Sequence, residues 1–170
     1  MLSADDQGTQ NGTILPPAVY HQLFTPYYRR MNDAVHRAAP GIKTFYHSCG
    51  GIYELLDAII ESRFDALNPV QWSAGKAAYR DWKDKCRGRI ALWGGGVNTQ
   101  STLPLGGLAE VRREVSEVVP VLARDSGYVF CAIHNLLAEI PPDKVIAMYR
   151  TAAQYGGSSE TPSFSSASSK

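Results

Sequence analysis

Long hydrophobic runs are missing from this sequence: no apolar stretch is long enough to cross a bilayer, and residues 1–12 are polar rather than signal-like. Neither sign of charge is in excess, because 17 basic and 16 acidic residues leave a net charge of +1. This balance argues against a nucleic-acid or membrane partner. Only three cysteines occur, too few for a disulfide framework, so we expect an intracellular, cytoplasmic protein in a reducing compartment.

Phosphate-binding glycine loops are missing as well. The run Gly94-Gly95-Gly96 lacks the lysine of a Walker-type loop and the spacing of a Gly-x-Gly-x-x-Gly motif. The sequence therefore gives no reason to expect a bound nucleotide.

What is present is an alternation of short apolar runs and longer amphipathic stretches. With 44% hydrophobic residues, the chain is large enough for one globular core. The short runs predict strands over 42–46, 64–67, 90–93 and 128–133, after an apolar N-terminal fragment over 1–4. The amphipathic stretches predict helices over 17–38, 52–62, 75–86, 108–123 and 143–155, the first of them kinked or split at Pro26.

The order strand, loop, helix repeats along the chain, and every polar or glycine-rich cluster falls after a strand and before a helix. The strands lack a clean two-residue alternation, as is typical of buried parallel strands. We therefore predict an α/β protein whose chemistry lies at the carboxyl ends of parallel strands. The Ser- and Gly-rich residues 156–170 are expected to form a disordered tail.

The segment His47-Ser48-Cys49-Gly50-Gly51 carries the clearest chemical signal. Side chains two residues apart on an extended backbone point to the same side, with Cα atoms roughly 6.5 Å apart, so His47 and Cys49 can share one ion. Zinc binds this pair of ligand types readily, and the two glycines allow a sharp turn into the following helix. From these residues alone, the alternative is a strand-end turn that binds no metal.

Polar clusters follow the N-terminal fragment and the other strands too. They are Asp5-Asp6-x-Gly-Thr-Gln10, Leu67-Asn-Pro-Val-Gln71, Trp93-Gly-Gly-Gly-Val-Asn-Thr-Gln100 with Leu103-Pro104 beyond, and His134-Asn135 with Pro141-Pro142 beyond. In this order, and together with the His47 segment, they resemble the uroporphyrinogen decarboxylase (URO-D) superfamily over residues 1–155. The resemblance implies the C-terminal part, about five βα units with parallel strands, of a (β/α)8 TIM barrel.

The superfamily has two functional branches. One removes acetate carboxyls from uroporphyrinogen in porphyrin and heme biosynthesis without metal or cofactor. The other passes a methyl group between a corrinoid and a thiol-type acceptor, and it holds zinc with a His-x-Cys pair and a third ligand on the last strand. His47 and Cys49 match that pair residue for residue. The resemblance thus implies a zinc-dependent, corrinoid-linked methyltransferase, with the decarboxylase as the alternative.

Further site roles follow from the same resemblance. His134 is expected as the third zinc ligand and as a catalytic residue, with Cys131 as the alternative ligand, although a core position suits a free cysteine better. Asp6 is the other catalytic candidate, and it is also placed to orient a ligand histidine. The expected substrate-binding residues are Asp5, Gln10, Asn68, Gln71, Asn98 and Gln100. Each of these amides alone is more often a loop cap.

The length departs from the family pattern. A closed barrel of this type takes ~250 residues and at least ~200, against 170 here. Met1 falls inside what should be a strand, and the arginine and aspartate motif of the decarboxylases' N-terminal half has no counterpart. We therefore expect a fragment that acts on a small-molecule or corrinoid-protein substrate and pairs with a missing N-terminal barrel half or a homodimer mate. A third hypothesis is an inactive half-barrel remnant or partner subunit.

Overall fold

Five short parallel strands form one sheet in the computed structural model, which describes residues 1–156. They are β1 (Leu2–Ala4), β2 (Phe45–His47), β3 (Ala66–Asn68), β4 (Ala91–Trp93) and β5 (Tyr128–Val129). The strands lie side by side in chain order, and each is parallel to the next. The predicted parallel sheet is confirmed, whereas the predicted tail lies outside the described residues except for Gly156.

Helices connect the strands and continue after the last one. They are α1 (Pro17–Leu23), α2 (Thr25–Ala38), α3 (Leu56–Glu61), α4 (Tyr79–Cys86), α5 (Thr102–Leu105), α6 (Leu108–Ala123) and α7 (Pro142–Ala153), with a 3-10 turn at Tyr53–Leu55 before α3. The predicted helix over 17–38 is split at Phe24, because Pro26 occupies the first turn of a new helix, where its missing N–H is harmless. None of the helices in residues 1–156 has the length and apolar character that a membrane crossing requires.

The observed strands are shorter than the apolar runs that predict them. The run over 42–46 is paired only from Phe45 onward, since Ile42 lies exposed before the sheet. The run over 128–133 is paired regularly only at Tyr128–Val129. Beyond Val129, the pairing is irregular because positive φ values at Gly94 and Gly95 turn the backbone and end β4. Cys131 and Ile133 therefore form hydrogen bonds with the loop after β4, outside a regular ladder. Apolar runs mark burial, and burial extends further than hydrogen-bonded pairing.

Strands that are neighbours in the sheet are also consecutive in the chain. Crossovers of one hand then place every helix on the same face, whereas a doubly wound sheet reverses its strand order. The central residues Tyr46, Leu67 and Leu92 are buried in the core on the helical face. The opposite face leaves Leu2 67% and Trp93 39% exposed in the described residues. This is the arrangement of consecutive βα units cut from a barrel, as the sequence predicts.

Candidate metal centre

Three side chains with metal-binding atoms converge at the carboxyl ends of β1 and β2. The ligand atoms of Asp6, His47 and Cys49 all lie within 4.8 Å of one another. Cys49 Sγ is 3.3 Å from His47 Nε2, and Asp6 Oδ1 is 3.8 Å from the same nitrogen. Ligands bound tetrahedrally at ~2.0–2.3 Å are spaced roughly 3.3–3.8 Å apart, so the two distances to His47 Nε2 match a zinc site, and the oxygen, nitrogen and sulfur donors are ligand types that zinc accepts.

The register of the parallel strands brings these residues together. Ala4, His47 and Asn68 lie side by side across β1, β2 and β3. Because side chains two residues apart on an extended chain point to the same side, Asp6 and Cys49 continue the rows that begin at Ala4 and His47. The cluster is therefore a consequence of period-two backbone geometry on two adjacent strands.

Asn68 holds the His47 ring in one tautomer. The Asn68 amide group donates from Nδ2 to the Trp93 carbonyl at 3.1 Å, which turns its Oδ1 toward His47 Nδ1 at 2.7 Å. Only a protonated Nδ1 can donate to that oxygen, so the neutral ring keeps its lone pair on Nε2. Nε2 is the atom that faces Cys49 and Asp6. An outer partner of this kind is the usual companion of a metal-binding histidine.

The electrostatics of Cys49 favour the thiol as long as no cation is near. Burial and the adjacent Asp6 carboxylate raise the pKa of the Cys49 thiol to about 11. Asp6 Oδ1 also accepts a 2.8 Å hydrogen bond from the Cys49 backbone N–H, which fixes the carboxylate beside the sulfur. A divalent ion among the three ligands reverses this balance, because a coordinating thiol is deprotonated.

Close backbone packing fixes the loop that carries Cys49. Gly50 has φ +93°, a conformation that side-chain-bearing residues rarely adopt, and its N–H donates to Gln71 Oε1 at 2.7 Å. A Cβ added to Gly8 would lie 2.7 Å from the Cys49 carbonyl oxygen, so only glycine permits this approach of the two loops. The Gln7 N–H donates to the buried Ser48 hydroxyl at 3.1 Å. The β1 and β2 loops thus hold Asp6 and Cys49 at a set separation.

A pocket of about 370 Å³ opens beside the cluster. Its lining comes from all five strand-end loops: Gly8, Thr9, Gln10, Cys49, Gly50, Gln71, Thr99, Gln100, His134, Asn135 and Leu137. His134 is exposed on this wall but does not belong to the group of converging ligand atoms. Nor does Cys131, whose sulfur would lie 3.2 Å from a Cβ placed on Gly94. The third-ligand role of either residue stays a prediction, and Asp6 supplies the third converging atom in the described residues.

The amides predicted to bind substrate mostly bond to the protein itself. Gln10 donates from Nε2 to the Ser73 carbonyl at 2.8 Å and accepts from Gln100 Nε2 at 3.0 Å, which joins the β1, β3 and β4 loops. Asn98 Oδ1 accepts from the Gln100 N–H at 2.9 Å and so caps its own loop. Their substrate role stays a prediction, while the structure gives them a bracing role around the pocket.

Asp5 lies apart from the cluster that its neighbour Asp6 joins. Its Oδ2 accepts a 3.1 Å hydrogen bond from Tyr28 on α2, and the Tyr46 hydroxyl contacts its carbonyl oxygen at 3.3 Å. The two aspartates diverge because adjacent residues on an extended chain point to opposite sides. The predicted substrate contact of Asp5 therefore has to compete with a bond to the helical layer.

Thr99 and Asn135 also line the pocket, although sequence reasoning does not single them out as site residues. Thr99 stands between Asn98 and Gln100, both of which are predicted site residues. Its hydroxyl oxygen is buried and has no hydrogen-bond partner in residues 1–156. Only the fold reveals this, since a threonine in a polar loop carries no signal of burial.

The fold and the cluster together define a barrel-type α/β protein with side chains of metal-ligand type gathered at the carboxyl ends of its first two strands. A family model described as "Uroporphyrinogen decarboxylase (URO-D)" matches residues 1–155. The chain belongs to this family, and the resemblance found in its motifs is confirmed.

Several curated proteins and solved structures resemble the chain over part of their length. The uroporphyrinogen decarboxylase of Syntrophotalea carbinolica is 26% identical, covering 78% of this chain and 36% of that protein. That of Pseudomonas entomophila is 25% identical, covering 85% of this chain and 40% of that protein. A methyltransferase from Methanosarcina mazei shares the fold with a TM-score of 0.68 at 17% identity, covering 91% of this chain and 42% of that one. The chain thus spans about two fifths of the proteins it matches.

Proposed function

We propose that this chain is the metal-binding part of a zinc-dependent methyltransferase that activates a thiol acceptor. The observation that carries the proposal is the convergence of Asp6, His47 and Cys49 ligand atoms within 4.8 Å at the strand ends. Two further observations support it: Asn68 presents the His47 Nε2 lone pair to the cluster, and the shared fold of the Methanosarcina mazei methyltransferase agrees with it. The curated relatives leave the activity open, because their identity to this chain is low.

The residues of this chain divide the work as follows. Cys49 as a thiolate, His47 through Nε2 and Asp6 through a carboxylate oxygen would hold the ion, to which an acceptor thiol would also bind. Zinc bound there supplies a Lewis acid that lowers the pKa of a coordinated thiol, so that the thiolate exists at neutral pH. His134 lies on the wall of the same pocket, where a ring nitrogen can take up the proton that the thiol releases.

The methyl donor and the rest of the barrel belong to the proposal too. A corrinoid on a partner protein is the donor that the resemblance suggests. The inner face of the sheet is exposed at Leu2 and Trp93, although parallel sheets are normally covered on both faces. We propose that further strands of the barrel, on this polypeptide or on another one, cover that face and complete the pocket.

Uroporphyrinogen decarboxylation is the second candidate, favoured by the names of the curated relatives. It requires a site for a substrate that carries several carboxylates. The pocket beside Cys49 has no lysine or arginine in its lining within residues 1–156, and the Asp6 carboxylate lies close by. Cationic partners for such a substrate would therefore have to come from the further strands that complete the pocket. An inactive half-barrel or partner subunit is the third candidate. It is favoured by the fact that the chain covers only about two fifths of the proteins it matches.

Zinc content tests the proposal most directly. We expect the full chain, loaded with zinc and dialysed, to retain stoichiometric metal by elemental analysis, and the His47→Ala and Cys49→Ala variants to lose it. The exposed His21, which pairs with Glu61, provides a matched control, since its replacement by alanine should leave the metal in place. Parallel measurements on Asp6→Asn, His134→Ala and Cys131→Ser identify the third ligand.

Two results would count against the methyltransferase. One is wild-type protein that binds no zinc under careful handling, and the other is zinc that survives both His47→Ala and Cys49→Ala. Incubation with methylcobalamin and a thiol, followed through the visible spectrum of the corrinoid, then separates an active site from an inactive remnant. Consumption of uroporphyrinogen by metal-free protein would support the decarboxylase instead.

A further inference from the structure

The Gln71 side chain is held in the wall of the pocket beside Cys49, where the residue is only 7% exposed. Its backbone carbonyl accepts from the Ala74 N–H at 3.0 Å, and its side-chain Oε1 accepts from the Gly50 N–H at 2.7 Å. Because an N–H group needs an oxygen as its acceptor, the second bond settles which end of the amide faces Gly50. The Nε2 end is therefore left for another partner.

The Nε2 group of Gln71 donates to no protein acceptor within residues 1–156. It is not sealed off either. The fully enclosed polar side-chain atoms that lack a partner in those residues belong to Thr25, Asn32, Trp82, Thr99 and Tyr128. The Gln71 amide thus keeps accessible surface, and the space that Gln71 lines is the pocket that it shares with Cys49 and Gly50.

The other two glutamines of this pocket are already engaged through their Nε2 groups. Gln10 donates to the Ser73 carbonyl at 2.8 Å, and Gln100 donates to Gln10 at 3.0 Å. A largely buried amide donor without a partner is unfavourable, so an acceptor that enters the pocket gains by pairing with Gln71. The Gly50 bond that orients the amide joins the β2 and β3 loops, so this orientation does not depend on further strands of the barrel.

We infer that Gln71 donates from Nε2 to an acceptor oxygen on the molecule that enters the pocket beside Cys49. The inference rests on the proposed metal site for the identity of that molecule as a thiol, and it adds one recognition contact near the sulfur. The family resemblance implies a substrate role for Gln71, and the geometry supplies the atom and the direction of the bond. The charge of the substrate stays open, because a carbonyl and a carboxylate both accept from an amide.

Gln71→Glu isolates the donor, because it keeps an oxygen for the Gly50 N–H and removes the Nε2 group. Gln71→Met, which is neutral and of similar length, removes both. The probes are two uncharged thiols: methyl thioglycolate, which carries a carbonyl near the sulfur, and 1-butanethiol, which carries no oxygen. Cobalt-loaded protein reports their binding without turnover, since the visible absorption of Co²⁺ changes when a thiolate coordinates.

We expect the affinity for methyl thioglycolate, divided by that for 1-butanethiol, to fall about tenfold from the wild type to either variant, as the loss of one hydrogen bond predicts. Taking this ratio cancels the different acidities of the two thiols. Gln22→Met makes the same chemical change on the exposed part of α1 and serves as the matched control, so it should keep the ratio of the wild type.

The outcomes separate this inference from the proposal beneath it. Failure of Co²⁺ to bind, or equal thiol binding by the Cys49→Ala variant, would overturn both. Normal cobalt spectra with an unchanged ratio in both Gln71 variants would overturn only the inference, and Nε2 would then donate to water alone. A ratio that falls in just one of the two variants would assign the effect to the lost Gly50 bond or to the added charge, and would overturn it as well.

Discussion

Histidine and aspartate side chains meet at both ends of the β2–β3 pair, in opposite settings. At the amino ends, just before the strands begin, the Asp65 carboxylate accepts hydrogen bonds from the Thr44 backbone N–H at 2.7 Å, His36 Nε2 at 2.9 Å and Lys43 Nζ at 3.2 Å. The Thr44 hydroxyl also donates to it at 3.1 Å. At the carboxyl ends, Asp6 accepts from the Cys49 N–H and faces His47 at 3.8 Å.

The two carboxylates differ in how many hydrogen bonds they accept from the protein. Burial alone would raise the pKa of Asp65, but the hydrogen bonds from Thr44, His36 and Lys43 together hold it at about 2. Its side chain is 26% exposed, whereas that of Asp6 is 60% exposed. A carboxylate whose lone pairs are filled by the protein stabilises the fold, and one with free lone pairs beside an imidazole and a thiol is available to an ion. Barrel folds show the same division between their two ends.

The largest expected effect comes from Cys49→Ala, which should lower zinc affinity on the order of a thousandfold through loss of a thiolate ligand. The unfolding free energy of the metal-free protein should change by less than about 1 kcal/mol, because the side chain is only partly buried. Competition with a chromogenic chelator and urea unfolding in EDTA measure the two quantities. Equal losses of zinc affinity in Cys49→Ala and Asp65→Asn would contradict the proposal that only the carboxyl ends of the strands bind the ion.

Asn68→Leu should reduce zinc affinity by about 10–100-fold, because His47 loses the acceptor that fixes its tautomer. The same chelator competition measures the change. Asn68→Asp keeps an oxygen opposite His47 Nδ1 and serves as the matched variant, so it should bind zinc more tightly than Asn68→Leu. If both variants bind zinc as the wild type does, Asn68 does not orient the ring.

Asp65→Asn should lower the unfolding free energy at pH 7 by about 1–2 kcal/mol, since the donors Thr44, His36 and Lys43 lose the anionic oxygen that accepts their hydrogen bonds. Zinc affinity should stay within about threefold of the wild type, because the site lies at the other end of the strands. Urea unfolding at pH 7 gives the first quantity and chelator competition the second. A large loss of zinc would mean that the two ends are coupled.

The Asp65 carboxylate should also make the unfolding free energy depend on pH. The pKa of Asp65 is about 2 in the folded chain and about 3.9 when unfolded, so its stabilisation is fully present above about pH 4. It should disappear as the pH falls from about 4 to about 2, where the folded state takes up the proton. Unfolding curves over this range should be steeper in pH for the wild type than for Asp65→Asn. Parallel curves would assign the acid sensitivity to other groups.

The smallest effect is expected for Tyr28→Phe, which removes the hydrogen bond to Asp5 on the helical side of the β1 loop. We expect a loss of about 0.5–1.5 kcal/mol in unfolding free energy and almost no change in zinc affinity. Asp6→Asn, which changes the next residue along the chain, should lower the zinc affinity and leave the unfolding free energy almost unchanged. Zinc loss in Tyr28→Phe would indicate that Asp5 positions its neighbour.

Local sequence patterns determined the elements of this fold. Hydrophobic periodicity gives the helix over 108–123 with the observed bounds, and Pro26 marks the break between α1 and α2. The ends of the strands depend on pairing with neighbours, which an apolar run of four or five residues does not report. The short helix α5 is missed because four residues are too few to show a helical period.

The sequence by itself also determined the pairing of His47 with Cys49, because their two-residue spacing on a strand is a local property. Only the tertiary structure decided that Asp6 joins them, that Asn68 sets the tautomer of His47, and that Thr99 keeps a buried hydroxyl without a partner. Those relations join residues 21 to 43 positions apart, or depend on the loops packed around one side chain. They arise from the register of parallel strands, which no single stretch of the chain contains.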